Sequence, residues 1–163
     1  MKVALADAAD TEALGAQVAA AVTALPGGWL VMLEGGLGAG KTTLVRGFLR
    51  SLGYAGRVPS PTYTLVEPYE IAGRHILHVD LYRLADPGEL EYLGLRDSLQ
   101  DDTLALIEWP ERAAGALGDP DLRIRLEMAG TGRAADLLSG TARGRSALTR
   151  LETSLRAADE ETR

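Results

Sequence analysis

Gly35-Gly36-Leu37-Gly38-Ala39-Gly40-Lys41-Thr42 is the stretch on which the fold turns. It satisfies the spacing G-x-x-x-x-G-K-[ST], and its flanks are the ones that pattern needs. Residues 29–33 are a short, wholly apolar run bounded by glycines, which reads as a strand buried on both faces. Residues 41–51 resume helical spacing through Leu44, Val45, Phe48 and Leu49. Strand, glycine loop and helix therefore follow in order. Glycines let consecutive backbone N–H groups turn inward around phosphate oxygens, and the helix start adds about half a positive charge. On this reading Gly35, Gly38, Ala39, Gly40, Lys41, Thr42 and Thr43 form a phosphate cradle. Lys41 reaches the β and γ phosphates, and the Thr42 hydroxyl ligates Mg²⁺. Lys2 is the only other lysine, so a chain that otherwise writes positive charge as Arg keeps one internal Lys at this position.

The 163 residues suffice for one domain with one continuous core, expected to span 1–163. With 46% hydrophobic and 25% charged residues, the composition is that of a chain that folds in water. No apolar run approaches the roughly 20 residues a membrane helix needs, and no signal peptide is read at the N-terminus. Cysteine is absent, which removes disulfides and thiolate chemistry and favours a cytoplasmic location. The two histidines, His75 and His78, lie three apart in a strand-like segment, so they point to opposite faces and cannot jointly grip a metal. A net charge of −6 disfavours nucleic-acid binding by the chain's overall field, leaving local contacts or a partner.

Outward from the loop, residues 10–25 read as an amphipathic helix with Asp10 as N-cap and Pro26-Gly27-Gly28 as its stop. Residues 62–69 and 75–81 read as a hairpin around Ile71-Ala72-Gly73-Arg74, and 87–99 as one or two short helices. Residues 104–107 form a second apolar strand ending in Glu108, and 110–117 a short helix begun by Pro110. Leu122, Ile124, Leu126 and Met128 alternate with polar residues, and 134–138 pair back onto them. The last helix is expected over about 142–158, with a frayed tail over 159–163.

A phosphate cradle needs a carboxylate to manage Mg²⁺ or water, at the C-terminal end of a neighbouring apolar strand. Asp80 and Glu108 both qualify, and the pattern does not say which sits nearer the metal. The alternative is that each caps a helix or pairs with Arg83 or Arg112. Ser60-Pro61-Thr62-Tyr63-Thr64 carries hydroxyls on a proline-stiffened segment with no apolar anchor until Leu65, and reads either as a mobile phosphate-sensing loop or as an ordinary one. Trp109 reads as core packing, and no arginine stands in or just after the cradle except Arg46.

Taken together, LEGGLGAGKTTLVRG (33–47), VPSPTYTLVEPY (58–69), HVDLYRL (78–84), ELEYLGLRD (89–97) and LIEWPER (106–112) resemble the TsaE family, in the family's order. The resemblance implies a P-loop NTPase-like three-layer α/β fold, its mainly parallel sheet flanked by antiparallel strands. It also implies an ATPase of bacterial tRNA threonylcarbamoyladenosine modification, using ATP and Mg²⁺. By the same resemblance Lys41 and Thr42 are phosphate and Mg²⁺ ligands, Asp80 and Glu108 the acidic pair of the hydrolytic site and its metal, and Thr62 part of a switch-like loop. The implied partners are TsaB and TsaD, with tRNA reached only through their complex and no membrane contact; homo-oligomerisation is left open. Gly36 departs from the family's usual Asp, which bears on loop rigidity or a partner contact.

The residues leave two other functions open. A small-molecule kinase shares the phosphate loop, although its expected Arg-rich lid is matched only by Arg83, Arg96, Arg112 and Arg123 scattered among acids. A nucleotide-dependent binding module with negligible hydrolysis shares it too. A GTPase is excluded, since guanine reading through N-K-x-D needs an Asn and the chain has none.

Overall fold

The computed structural model describes residues 1–99 and 102–161. Its elements in chain order are β1 (Lys2–Leu5), α1 (Ala8–Thr23), β2 (Trp29–Glu34), α2 (Lys41–Ser51), β3 (Val66–Ile71), β4 (Arg74–Asp80), α3 (Glu89–Tyr92), α4 (Leu95–Ser98), β5 (Leu104–Glu108), β6 (Leu122–Ala129), β7 (Gly132–Ser139) and α5 (Ala142–Glu161). The strands form one sheet in the order β1-β7-β6-β2-β5-β4-β3. The central four, β6, β2, β5 and β4, run parallel, and the flanking pairings are antiparallel. This is the expected three-layer architecture. A parallel sheet must be covered on both faces, and here its strands feed two cores. Leu104 and Leu106 pack under α1 and α2, whereas Ala105 and Ile107 pack under the 81–99 segment and the 3-10 turn at Pro110–Ala113. No helix among the described residues is long and apolar enough to cross a membrane.

Helix α1 is capped by Asp7 rather than Asp10. The Asp7 carboxylate accepts the Asp10 N–H at 3.0 Å, while the Asp10 carboxylate accepts the Ala6 N–H at 2.8 Å, a reciprocal arrangement in which both acids work at the same helix start. The following 3-10 turn is shorter than the helix expected over 110–117. At the other end, α5 continues through 159–161, where a frayed tail was expected; residues 162 and 163 lie outside the described residues.

Two features bind the layers. Helices α1 and α2 touch at backbone distance: a Cβ on Gly15 would lie 2.1 Å from the Leu44 carbonyl oxygen, and one on Gly47 2.0 Å from the Glu12 carbonyl oxygen. Only glycine permits that approach. At the sheet edge opposite the loop, the buried Asp121 carboxylate accepts the Leu30 N–H, the Thr141 hydroxyl and the Arg143 guanidinium, which lies over Trp29. That knot fastens α5 to β2.

Candidate functional site

The loop between β2 and α2 begins at Glu34, whose carboxylate is held by Arg123 and Arg125 of β6. It ends at Gly40, the N-cap of α2, with φ 107°, a left-handed conformation that a side chain would strain. Gly38, Ala39, Gly40, Lys41, Thr42 and Thr43 line a pocket of about 380 Å³ that also receives Ser60, Thr62, Asp80, Tyr82, Glu108 and Trp109. Gly35 lies outside it, and its carbonyl faces the lysine. Gly36 faces open space: a Cβ there would meet nothing within 4 Å, so the departure from Asp reflects no steric demand of the loop.

Lys41 is only 5% exposed. Its ammonium donates to the Gly35 and Gly36 carbonyls and sits 4.2 Å from the Trp109 ring. Burial pushes its pKa below the usual lysine value, and the charges of Glu108, Glu111 and Asp80 offset that in part.

The two carboxylates are positioned by strand register. Asp80 and Glu108 are paired residues at the C-terminal ends of adjacent parallel strands β4 and β5, and Glu108 is in turn paired with Leu33 of β2, which leads into the loop. Even-numbered residues of both strands face α2, so both acids reach the loop side of the sheet. Glu108 Oε1 accepts the Thr42 hydroxyl at 2.9 Å, which makes it the acid bonded to the loop. Asp80 Oδ2 accepts the Ser60 hydroxyl at 2.5 Å and, at a long 3.4 Å, the Thr62 hydroxyl, while Oδ1 accepts the Tyr82 N–H at 2.9 Å. Neither acid pairs with Arg83 or Arg112 among the described contacts. Arg83 instead covers the ring of the exposed Tyr63 at 4.4 Å, and the Leu65 N–H donates to the Pro61 carbonyl at 2.7 Å. The 60–65 loop therefore has anchors the sequence did not suggest; they are polar and aromatic rather than apolar.

Three residues do more at the site than the sequence reading assigned them. Trp109 packs half-buried against the second core, as its reading as core packing expected, but its left-handed backbone (φ 57°, ψ 47°) also lays the indole over Lys41 and 5.0 Å from the Tyr82 ring. A non-glycine residue held there costs on the order of 1–2 kcal/mol, and such strain collects at functional sites. Arg133 of β7 supplies the arginine that the local sequence lacks, donating to the Gly38 carbonyl at 3.1 Å and lining the pocket together with Ala8 and Thr11. His78, fully buried, places Nε2 2.7 Å from Glu108 Oε1. Among the described residues, no group of three or more His, Asp or Glu side chains could hold a metal ion. The side chains of the pocket that could hold a divalent cation are the Thr42 hydroxyl, Glu108, to which it donates, and Asp80.

A glycine loop leading from a central parallel strand into a helix, with two acids on neighbouring strand ends, defines the P-loop class of three-layer α/β folds. Residues 5–135 match the family described as "Threonylcarbamoyl adenosine biosynthesis protein TsaE", and the chain belongs to that family. It is 50% identical over 117 residues to the tRNA threonylcarbamoyladenosine biosynthesis protein TsaE of Haemophilus influenzae, covering 72% of this chain and 74% of that one. The Streptomyces coelicolor protein of the same description is 44% identical over 108 residues, 64% of this chain and 72% of that one. The fold superposes on a crystal structure of YdiB from Bacillus subtilis with a TM-score of 0.80 at 26% identity, covering 94% of this chain and 95% of that one. The family works in tRNA threonylcarbamoyladenosine biosynthesis.

Proposed function

We propose that this chain is a Mg²⁺-dependent ATP hydrolase whose turnover, in the cytoplasm, supports the TsaB–TsaD transferase. The observation that carries this reading is the Thr42 hydroxyl bonded to Glu108, with Asp80 one strand away in the same pocket. Backbone N–H groups at the start of α2 and the Lys41 ammonium bind the phosphates and hold the γ-phosphoryl group for in-line attack by water. Water adds to phosphorus as the bond to the bridging oxygen breaks, giving ADP and inorganic phosphate. Thr42, Glu108 and Asp80 are the groups that would hold Mg²⁺, which offsets charge on the phosphate oxygens when bound. Asp80 also ties Ser60 and Thr62 to the site, so that loop joins the phosphate end of the pocket. Arg133, Thr11 and Ala8 line the remainder, beside Gly38 and Gly40, where they suit the sugar end of a nucleotide.

Among the described residues Arg133 is the one arginine in the pocket lining, and it is engaged by the Gly38 carbonyl; an arginine supplied to the γ-phosphate is worth about 10³ to 10⁵ in rate. Hydrolysis by the chain alone is therefore slow, and docking on the partners completes the site. Contact with tRNA runs through that complex, in keeping with the net charge of −6. The test measures phosphate release from ATP by the chain alone and with TsaB and TsaD. Acceleration is expected, and is expected to vanish in Thr62→Ala while nucleotide binding survives. Fast release by the lone chain that partners leave unchanged refutes the partner-dependent reading. No release under any condition refutes hydrolysis itself.

A further inference from the structure

His78 sits in the middle of β4 with no exposure, beside Leu106 of β5. The neighbouring buried positions on the two strands, Ile76, Leu77, Val79, Ala105 and Ile107, are all apolar, so packing alone asks for an apolar side chain here. The imidazole brings a penalty instead: Nδ1 is buried with no hydrogen-bond partner among the described residues. Its other nitrogen, Nε2, meets Glu108 Oε1 at 2.7 Å. A carboxylate has no hydrogen to give, so Nε2 is the donor in this contact.

Glu108 Oε1 thus accepts two hydrogen bonds of different character. The Thr42 hydroxyl belongs to the half-buried start of α2, next to the phosphate loop. His78 belongs to a strand of the parallel centre of the sheet. We infer that His78 is the positioning residue for Glu108, fixing the direction of its carboxylate through Nε2–H whatever the state of the loop. This rests on the reading that ATP is hydrolysed at this site. It also accounts for the unpartnered Nδ1: a ring that reaches Glu108 through Nε2 from this strand turns its other nitrogen into the apolar layer.

Two variants and one spectrum test it. His78→Leu keeps the volume and removes the donor, whereas His78→Gln retains an N–H at similar reach. With nucleotide and partners present, His78→Leu is expected to lower kcat by about 10- to 100-fold, as loss of a supporting hydrogen bond behind a functional ligand does, with KM for ATP nearly unchanged. His78→Gln is expected to recover most of that loss. In the ligand-free chain, imidazole ¹⁵N–¹H NMR is expected to show His78 with its hydrogen on Nε2, and Glu108→Ala to move that resonance. The chain has only two histidines, so His75→Gln assigns the spectrum. Wild-type kcat in a folded His78→Leu protein, equal losses in both variants, or an Nε2 without a hydrogen overturns the inference. If wild-type protein releases no phosphate, the hydrolysis reading fails, and the NMR arm still decides the His78–Glu108 contact.

Discussion

Gly47→Ala adds one methyl group at the α1–α2 contact, and the structure fixes what it meets. The new Cβ falls 2.0 Å from the Glu12 carbonyl oxygen and 2.5 Å from the Glu12 Cα. The oxygen contact is about 1.5 Å short of an ordinary van der Waals separation near 3.5 Å. Both partners are helix backbone, so no side chain can rotate away and the helices must separate. Overpacking of this kind costs about 3 kcal/mol at the upper end of its usual range. Alanine is a better helix former than glycine by about 1 kcal/mol, which leaves a net loss of about 2 kcal/mol. In a chain of this size that lowers Tm by about 4–8 °C, readable by circular dichroism. The loss reaches the site as well, because α1 carries Ala8 and Thr11 to the pocket wall, so nucleotide affinity should fall with Tm. Gly36→Ala is the control: it meets nothing within 4 Å, and its stability should change by no more than about 0.5 kcal/mol. A Tm for Gly47→Ala at or above wild type would show that helix propensity wins and that the close crossing is not what holds α1.

Lys41→Met should leave the ligand-free chain as stable as wild type or slightly more so. Burial lowers the folded-state pKa of Lys41, so the unfolded chain holds that proton more tightly; the resulting deficit is full at neutral pH and fades as pH rises through the folded pKa toward the ordinary value. Denaturant unfolding at pH 7 checks this, and calorimetry should show nucleotide binding weakened by about 10-fold or more as a charge-assisted phosphate contact is lost. Asp80→Ala and Glu108→Ala should both abolish phosphate release while retaining nucleotide binding. Only Asp80→Ala should also raise protease cleavage within residues 60–65, since it frees Ser60, Thr62 and the Tyr82 N–H together. Arg133→Ala removes the bond to the Gly38 carbonyl and should raise the nucleotide Kd by about 5- to 10-fold, with kcat nearly unchanged; an equal loss in kcat would place Arg133 at the reacting end.

What was readable in the sequence was local. The strand–loop–helix unit, the strand-end acids and the β6–β7 hairpin each announce themselves within about two dozen residues, and the parallel centre follows from apolar strands separated by helical segments. The features that stayed hidden are joined across the chain. Strand β1 is four residues of weak pattern that becomes a strand because β7 offers it an edge. Arg133 lies more than ninety residues from Gly38 and arrives there through the sheet order. His78 looked like one of two facing-apart histidines, and its contact with Glu108 depends on the β4–β5 register, which no spacing encodes. Trp109 does pack against the second core, but its place over Lys41 stayed hidden because hydrophobicity alone cannot foretell a left-handed backbone. The N-cap of α1 was displaced by three residues because Asp7 and Asp10 both suit a helix start, and the apolar rhythm begins only at Leu14.

The three attachments of the Lys41 ammonium have a thermodynamic corollary. The loop is folded around its own cation, which occupies two carbonyls and an aromatic face. On the proposed function an incoming phosphate would outcompete an internal ligand rather than fill an empty socket. Its affinity would then be a difference between two well-bonded states, smaller than a count of contacts in the filled site implies. Variants that weaken the internal ligand without touching the phosphate contacts, such as Trp109→Leu at the ring, would shift that exchange toward the guest.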